Sequence, residues 1–161
     1  MNLKTLVSQH QQAFKQKVVQ AFAAKHSMSM EQVLKEHEDV IERYVQEKYK
    51  GVKQAVSKIL EFKRPVMLCI RRDPCSEDVC MICERDQPHI EELQRLYGDR
   101  VGFCDIYDSL PEGALYHIIH QGEGEKLLPL TAVIHKGAVI KYWSGRPVEV
   151  EEYREYLDPL V

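Results

Sequence analysis

Residues 66–83, VMLCIRRDPCSEDVCMIC, join a short apolar run to a Cys-x-x-Cys motif. The run Val66–Ile70 is continuous, which is typical of a strand that is buried on both faces of a sheet. The motif Cys80-Met81-Ile82-Cys83 directly precedes the segment Glu84–Tyr97, which has the pattern of a helix and contains Pro88. This stretch therefore predicts a buried strand, a loop and a helix with two cysteines at its start.

Downstream of this stretch, strands and helices are predicted to alternate. The predicted elements are strand Val101–Tyr107, helix Pro111–Ile119 capped by Ser109, strand Leu130–His135, turn Lys136-Gly137, strand Ala138–Trp143 and helix Glu149–Leu157. Alternation of strands and helices implies parallel pairing, and the tight turn adds an antiparallel hairpin. We therefore expect an α/β fold with a mixed four-stranded sheet flanked by helices.

Upstream, residues 1–62 show helical periodicity, with apolar residues recurring at helical spacing among Lys and Gln. Ser29 and Gln32 have the spacing of a capping box, which predicts that a second helix starts there. Gly51 is expected to split that long helix, because glycine weakens a helix interior by about 1 kcal/mol relative to alanine. We predict an α-helical extension over residues 1–62, whose last helix can pack with the domain formed by residues 63–161.

The composition excludes several classes of protein. The 161 residues are 44% hydrophobic and 29% charged, as in a globular chain that buries a core. The run of roughly 18 apolar residues that a transmembrane helix requires is absent, and no apolar signal segment follows Met1. We therefore expect a cytoplasmic protein that does not bind membranes. The first 28 residues contain Lys but no acid, which we interpret as a solvated helix face rather than a nucleic-acid site.

The element order and four local features resemble the thioredoxin-like superfamily over about residues 52 to 160. The features are the Cys80–Cys83 motif, Pro88 in the next helix, Leu128-Pro129 before the hairpin, and the hairpin with its Lys-Gly turn. The resemblance implies a three-layer α/β/α sandwich in which Pro129 forms a cis peptide that shapes the site. It also implies thiol–disulfide exchange, in which Cys80 attacks a disulfide and Cys83 resolves the mixed disulfide. No bound cofactor is then needed, and the partner is a protein dithiol or disulfide.

The sequence departs from thioredoxins at several positions. No Trp precedes Cys80, and the strand Val66–Ile70 lacks the buried carboxylate that thioredoxins use there for proton transfer. The loop Arg71–Val79 is longer than in thioredoxins and contains Cys75. We interpret Cys75 as an accessory thiol that can form a disulfide with either cysteine of the motif.

Two alternative functions remain open. Cys75, Cys80 and Cys83 have the C-x4-C-x2-C spacing of an iron–sulfur loop, so a zinc ion or an iron–sulfur cluster is the first alternative, with Cys104 as a fourth ligand. The second alternative is a non-catalytic interaction module, in which the fold and its helices bind a partner. The N-terminal helices are expected to pack on their own domain or to form a homodimer. Cys69 and Cys104 lie in predicted strands, where cysteine packs as a small hydrophobic residue.

Overall fold

The helices and strands follow the predicted order along the chain. A computed structural model describes residues 1–122 and 124–161. Within these residues, the elements are α1 (Leu3–His26), α2 (Met30–Glu61), β1 (Val66–Arg71), α3 (Met81–Tyr97), β2 (Gly102–Tyr107), α4 (Leu115–Ile119), β3 (Leu130–His135), β4 (Ala138–Ser144) and α5 (Val150–Leu157). A 3₁₀ turn, Pro111–Ala114, leads into α4.

Strand β1 lies inside the sheet, whose strand order is β2-β1-β3-β4. It pairs in parallel with β2 and antiparallel with β3, and β3 pairs antiparallel with β4. The turn Lys136-Gly137 joins β3 to β4, and its residues have positive φ angles of 50° and 79°. These angles belong to the two-residue hairpin turn whose twist matches that of the flanking strands. The predicted mixed four-stranded sheet is therefore confirmed.

Helices cover both faces of this sheet, because side chains alternate between the faces along each strand. In β1, Val66, Leu68 and Ile70 pack in one hydrophobic cluster with residues of α1, α2 and α4. Met67 and Cys69 pack in a second cluster with residues of α3 and α5. Burial on both faces explains why the sequence of β1 is a continuous apolar run.

The N-terminal helices α1 and α2 form an antiparallel hairpin. His10 contacts Tyr49 and Phe22 contacts His37, so residues later in α1 meet residues earlier in α2. Ser29 caps α2 as predicted, since its hydroxyl accepts a hydrogen bond from the Gln32 backbone N–H at 3.1 Å. Both helices contribute to the same hydrophobic cluster as β1, so α2 packs with the segment that follows residue 62.

The predicted break at Gly51 is wrong, because α2 continues without interruption from Met30 to Glu61. A Cβ atom at Gly51 would lie 2.8 Å from Pro111 Cβ and 3.4 Å from Glu112 N. Glycine at this position therefore allows the 3₁₀ turn to approach the helix closely. Tertiary packing of α2 outweighs the weak helix propensity of one glycine.

Two other local predictions are corrected by the structure. Helix α3 begins at Met81 rather than at Glu84, so the cysteine motif forms the first turn of the helix. Ser109 does not cap the next helix, because its hydroxyl donates a hydrogen bond to Asp73 Oδ2 at 2.7 Å and Leu110 occupies the cap position. None of the described helices is long and apolar enough to cross a membrane.

Candidate functional site

Cys80 occupies the N-cap position of α3, at the end of the loop that follows β1. Its backbone is extended, with φ −99° and ψ 97°, and its sulfur accepts a hydrogen bond from the Cys83 backbone N–H at 3.2 Å. The free N–H groups at a helix N-terminus carry partial positive charge, which stabilises a thiolate. This position therefore favours a reactive sulfur at residue 80.

The two cysteines of the motif are joined by a disulfide bond, and their Cα atoms are 5.3 Å apart. Residues three positions apart are neighbours on one face of a helix, which allows the bond to form at the start of α3. Cys80 is partly exposed, whereas Cys83 is only 8% exposed. A reaction partner from solvent therefore reaches the sulfur of Cys80 first.

The Leu128-Pro129 peptide lies beside the disulfide and is cis, as predicted. Leu128 O lies 3.8 Å from Cys80 Sγ and contacts this sulfur in the disulfide form. After reduction, the same carbonyl oxygen can accept a hydrogen bond from the Cys80 thiol. The segment is held by the Tyr116 hydroxyl, which donates to Leu127 O at 2.6 Å, and by Gly145 N, which donates to Pro129 O at 3.0 Å. The structure thus brings the motif and the cis proline together from distant parts of the chain.

Cys75 lies in the loop between β1 and α3, and it is exposed and free. The loop is held through Asp73, whose carboxylate accepts hydrogen bonds from the Ser109 hydroxyl at 2.7 Å and from Cys75 N at 2.9 Å. The hydrogen bond from Ser109 has the largest effect on the pKa of Asp73, and together with that from Cys75 it holds this pKa below its usual value. Pro74 and Ser76 line a cleft of about 450 Å³ beside the disulfide. Cys75 is thus a neighbour of the site but outside the disulfide, and its accessory role stays a prediction.

The alternative ligand set for a metal or cluster is Cys75, Cys80 and Cys83. The sulfur atoms of Cys80 and Cys83 are bonded to each other. Within residues 1–122 and 124–161, no group of three or more His, Cys, Asp or Glu side chains is placed to hold a metal ion. Cys104, the fourth ligand of this alternative, lies in β2 and is partly buried. The alternative is therefore supported by sequence spacing rather than by an assembled site.

Cys69 and Cys104 lie in strands, as predicted. Cys69 is buried in the cluster formed with α3 and α5, and burial raises the pKa of its thiol well above the usual value. Cys104 packs against the cluster on the opposite face of the sheet, and burial raises the pKa of its thiol too. Both thiols are therefore protonated at neutral pH, which suits a packing role.

One buried acid beside the motif was not predicted. Asp86 lies one turn after Cys83 in α3 and is 2% exposed. Its carboxylate accepts hydrogen bonds from Val148 N at 2.9 Å and from the Tyr153 hydroxyl at 2.8 Å. The Tyr153 oxygen also lies 3.1 Å from Thr131 Oγ1 and can accept the proton of that hydroxyl. Burial raises the pKa of Asp86, although its hydrogen bonds oppose the shift.

The apolar stripe of α3 contains the signal that could have located this acid. The buried residues of the helix are Cys83, Asp86, Ile90, Leu93 and Tyr97, at alternating spacings of three and four. An acid at a core position of an amphipathic helix indicates a buried carboxylate that needs hydrogen-bond partners. The resulting network joins α3 to α5 and β3 on the face of the sheet that carries Cys69.

Comparisons with known proteins add no family to this geometry. No protein-family model matches the sequence of the chain. No curated protein matches it either. Function is therefore inferred from the disulfide at the start of α3, the neighbouring cis peptide and the sheet that holds them.

Proposed function

We propose that this chain is a thiol–disulfide oxidoreductase of the thioredoxin-like superfamily that acts through Cys80 and Cys83. The observation that carries the proposal is the disulfide at the start of α3, between a partly exposed N-cap cysteine and a nearly buried cysteine one turn later. A nucleophilic thiol needs access to solvent and nearby positive charge, and Cys80 is partly exposed at the N-terminus of α3. A resolving thiol needs to reach the first sulfur without competing for the substrate, which fits Cys83.

The fold is compatible with a thioredoxin-like sandwich. Helices cover both faces of the β2-β1-β3-β4 sheet, the motif follows the interior strand β1, and the cis peptide precedes β3. These are the features on which the resemblance of the sequence depends. We therefore propose the family relationship for about residues 52 to 160, with α1 and most of α2 as an addition to it.

In the proposed reaction, the reduced chain attacks a disulfide R–S–S–R′ of a partner protein. The Cys80 thiolate forms a bond to one sulfur, the S–S bond of the partner breaks, and R′–S⁻ leaves and takes up a proton. Cys83 then loses its proton and attacks Cys80 Sγ, so that R–S⁻ leaves in turn. Two electrons have passed from the dithiol to the partner, and the disulfide bond between Cys80 and Cys83 is formed. A dithiol protein regenerates the reduced chain by the same steps in reverse.

Other residues have supporting roles in this proposal. Pro129 shapes the surface on which the partner docks, and Cys75 is an accessory thiol at the edge of the site. The reaction needs no bound cofactor, because the two sulfur atoms hold both electrons. The partner is a protein dithiol or disulfide, and we propose a cytoplasmic location, where such partners keep thiols reduced.

Thiol counting tests the proposal against the metal-binding alternative. The full chain is purified without oxygen and analysed by mass spectrometry before and after mild oxidation, with metal analysis on the same sample. We expect the loss of two hydrogen atoms, a peptide that links Cys80 to Cys83, and no stoichiometric metal. Stoichiometric zinc or iron that protects Cys75, Cys80 and Cys83 from alkylation would establish the alternative instead.

Matched variants test the roles of the two cysteines. Cys83→Ser can form the mixed disulfide but cannot resolve it, so we expect a covalent complex with a disulfide-containing protein to accumulate. Cys80→Ser lacks the attacking sulfur and should form no such complex. Cys104→Ser, in β2, serves as the control and should exchange disulfides at the wild-type rate. A Cys80 thiol that reacts no faster than a cysteine in a short peptide would favour the non-catalytic interaction module.

A further inference from the structure

One cleft is lined by the disulfide, and a second is lined by Leu128, whose carbonyl oxygen contacts Cys80. The first, the loop cleft, has a volume of about 450 Å³ and is lined by the loop before α3 and by both cysteines of the motif. The second, the Leu128 cleft, also has a volume of about 450 Å³ and lies between Leu128, the 3₁₀ turn Pro111–Ala114 and α4. Arg72 lines both clefts, and Leu128 O contacts Cys80 Sγ at 3.8 Å. A polypeptide bound at Cys80 can therefore extend into both clefts.

The two clefts differ in charge. Among the described residues, the charged groups of the loop cleft are Asp73, Asp78, Glu84, Arg71 and Arg72, which gives an excess of acid. Those of the Leu128 cleft are Arg72, Lys126 and Asp108, which gives an excess of base. An acidic group is therefore attracted to the Leu128 cleft and disfavoured in the loop cleft.

Lys126 contacts the imidazole of His117 in the Leu128 cleft. Its Nζ lies 3.3 Å from His117 Nδ1, which can accept a hydrogen bond only when the ring is not doubly protonated. Burial lowers the pKa of His117, and the charge of Lys126 lowers it further. The contact thus positions the ammonium group without neutralising it.

Apolar side chains are exposed next to Cys80 in the sequence and next to the cis peptide. Val79 and Met81, the sequence neighbours of Cys80, are 67% and 58% exposed. Leu127, beside the cis peptide, is 43% exposed. Clustered apolar groups at an exposed reactive site indicate contact with another macromolecule. A polypeptide can cover these side chains on both sides of Cys80, whereas a small disulfide molecule cannot.

We propose that the Leu128 cleft binds an acidic side chain of an extended polypeptide substrate whose cysteine reacts with Cys80. The inference rests on the proposed function and names its substrate class, which is a polypeptide with apolar residues beside its reactive cysteine and an Asp or Glu on one side. Because the loop cleft disfavours the same acidic side chain, charge also fixes the direction in which the substrate lies.

Peptides that carry a thiopyridyl mixed disulfide test this proposal. Each peptide has one cysteine between two leucines and one variable residue, Glu, Gln or Lys, at successive positions on either side. The thiolate of Cys80 in the reduced full chain attacks the peptide sulfur and displaces pyridine-2-thione, whose absorbance gives the rate. At low ionic strength, we expect the Glu peptide to react about fivefold faster than the Gln peptide. This difference should appear only when the variable residue lies on one particular side of the cysteine. Salt should reduce the difference.

Charge reversal at Lys126 tests the cleft itself. Lys126 is exposed, so Lys126→Glu removes no core contact, and we expect it to lower the ratio of Glu to Gln peptide rates below one. Lys126→Gln should bring the ratio close to one. Lys35→Glu, at an exposed position of α2, makes the same change in net charge and should leave the ratio at its wild-type value.

The outcomes separate this inference from the reaction on which it rests. Equal rates for the three peptides would overturn the inference while leaving thiol–disulfide exchange intact. The same conclusion would follow if Lys126→Glu and Lys35→Glu changed the ratio equally. If no peptide reacted with the reduced chain, both the inference and the proposed function would be refuted.

Discussion

The buried carboxylate of Asp86 allows a quantitative test of how α3 is held against its neighbours. Replacing Asp86 with alanine removes the acceptor of the Val148 N–H and of the Tyr153 hydroxyl. A buried donor without a partner costs about 1–3 kcal/mol. In Asp86→Ala the Tyr153 hydroxyl can still donate to Thr131 Oγ1, so the Val148 N–H is the donor left without a partner. We therefore expect Asp86→Ala to be about 1–3 kcal/mol less stable than Asp86→Asn, which also lacks the charge but keeps polar atoms at both positions.

Asparagine can preserve the network of hydrogen bonds. Its carbonyl oxygen can accept from Val148 N, and its amide can donate to the Tyr153 oxygen, which then donates to Thr131. Asparagine also carries no charge, so the burial that raises the pKa of Asp86 no longer opposes folding. We expect Asp86→Asn to equal or exceed the wild type in stability at neutral pH.

The pH dependence separates the effect of the charge from that of the hydrogen bonds. The pKa of Asp86 in the folded chain is raised above the usual value of 3.8, so the folded state holds this proton more tightly than the unfolded state. Its contribution to stability is therefore fully present below pH 3.8 and is lost as the pH rises through the folded-state pKa. The free energy of unfolding of the wild type should therefore fall relative to that of Asp86→Asn as the pH rises from 3.8 through the folded-state pKa of Asp86.

Urea denaturation of the oxidised chain, followed by circular dichroism at several pH values, measures both effects. With a slope of about 2 kcal/mol per molar urea, the midpoint of Asp86→Ala should lie about 0.5–1.5 M below that of Asp86→Asn. Equal midpoints would refute the stabilising role of the hydrogen bonds to Val148 and Tyr153. A difference between wild type and Asp86→Asn that does not change with pH would refute the raised pKa.

Three further predictions concern a helix cap, a close approach and the free thiols. Ser29→Ala removes the N-cap of α2 and should lower the free energy of unfolding by about 1 kcal/mol, measured by urea denaturation. Gly51→Ala places a Cβ atom 2.8 Å from Pro111 Cβ, so the same measurement should show a loss of about 1–3 kcal/mol despite better helix propensity. In the disulfide form, iodoacetamide should modify exposed Cys75 long before Cys69, since burial raises the pKa of the Cys69 thiol; mass spectrometry gives the order.

Ser57→Ala is the control for both substitutions in α2, because Ser57 is exposed in the same helix and alanine there changes helix propensity alone. If Gly51→Ala were as stable as Ser57→Ala, the approach of Pro111 would not require glycine. Wild-type stability of Ser29→Ala would mean that water replaces the cap. Equal rates of alkylation at Cys75 and Cys69 would contradict the buried position of Cys69.

The order of strands and helices could be predicted because local periodicity reflects burial. The apolar run of β1 corresponds to burial on both faces, and the Lys136-Gly137 turn supplies the positive φ angles of a hairpin. The errors arose where a distant residue decides the local structure. Gly51 does not end a helix because it accommodates Pro111, and Ser109 does not cap one because Asp73 takes its hydroxyl.

The candidate site could be predicted where its residues are contiguous in sequence. The Cys80–Cys83 motif and Leu128-Pro129 are short patterns that were recognisable without knowledge of their neighbours. Asp86 was missed because a single acid in a helix is normally exposed to solvent. Only the partners Val148 and Tyr153, which come from the end of the chain, satisfy it in the interior. The charges of the Leu128 cleft likewise come from Arg72, Asp108 and Lys126, which lie in separate segments that the fold brings together.

The absence of an acid from β1 therefore does not mean that the site lacks a buried carboxylate. Cys69 of β1 is paired in register with Thr131 of β3, and Thr131 contacts Tyr153, which donates to Asp86. The carboxylate thus reaches the same face of the sheet from α3, one helical turn after Cys83. Strand β1 itself contains no acid, and the carboxylate of this side-chain network belongs to α3. The helical periodicity of α3 could have indicated that Asp86 is buried, but its partners Val148, Tyr153 and Thr131 are visible only in three dimensions.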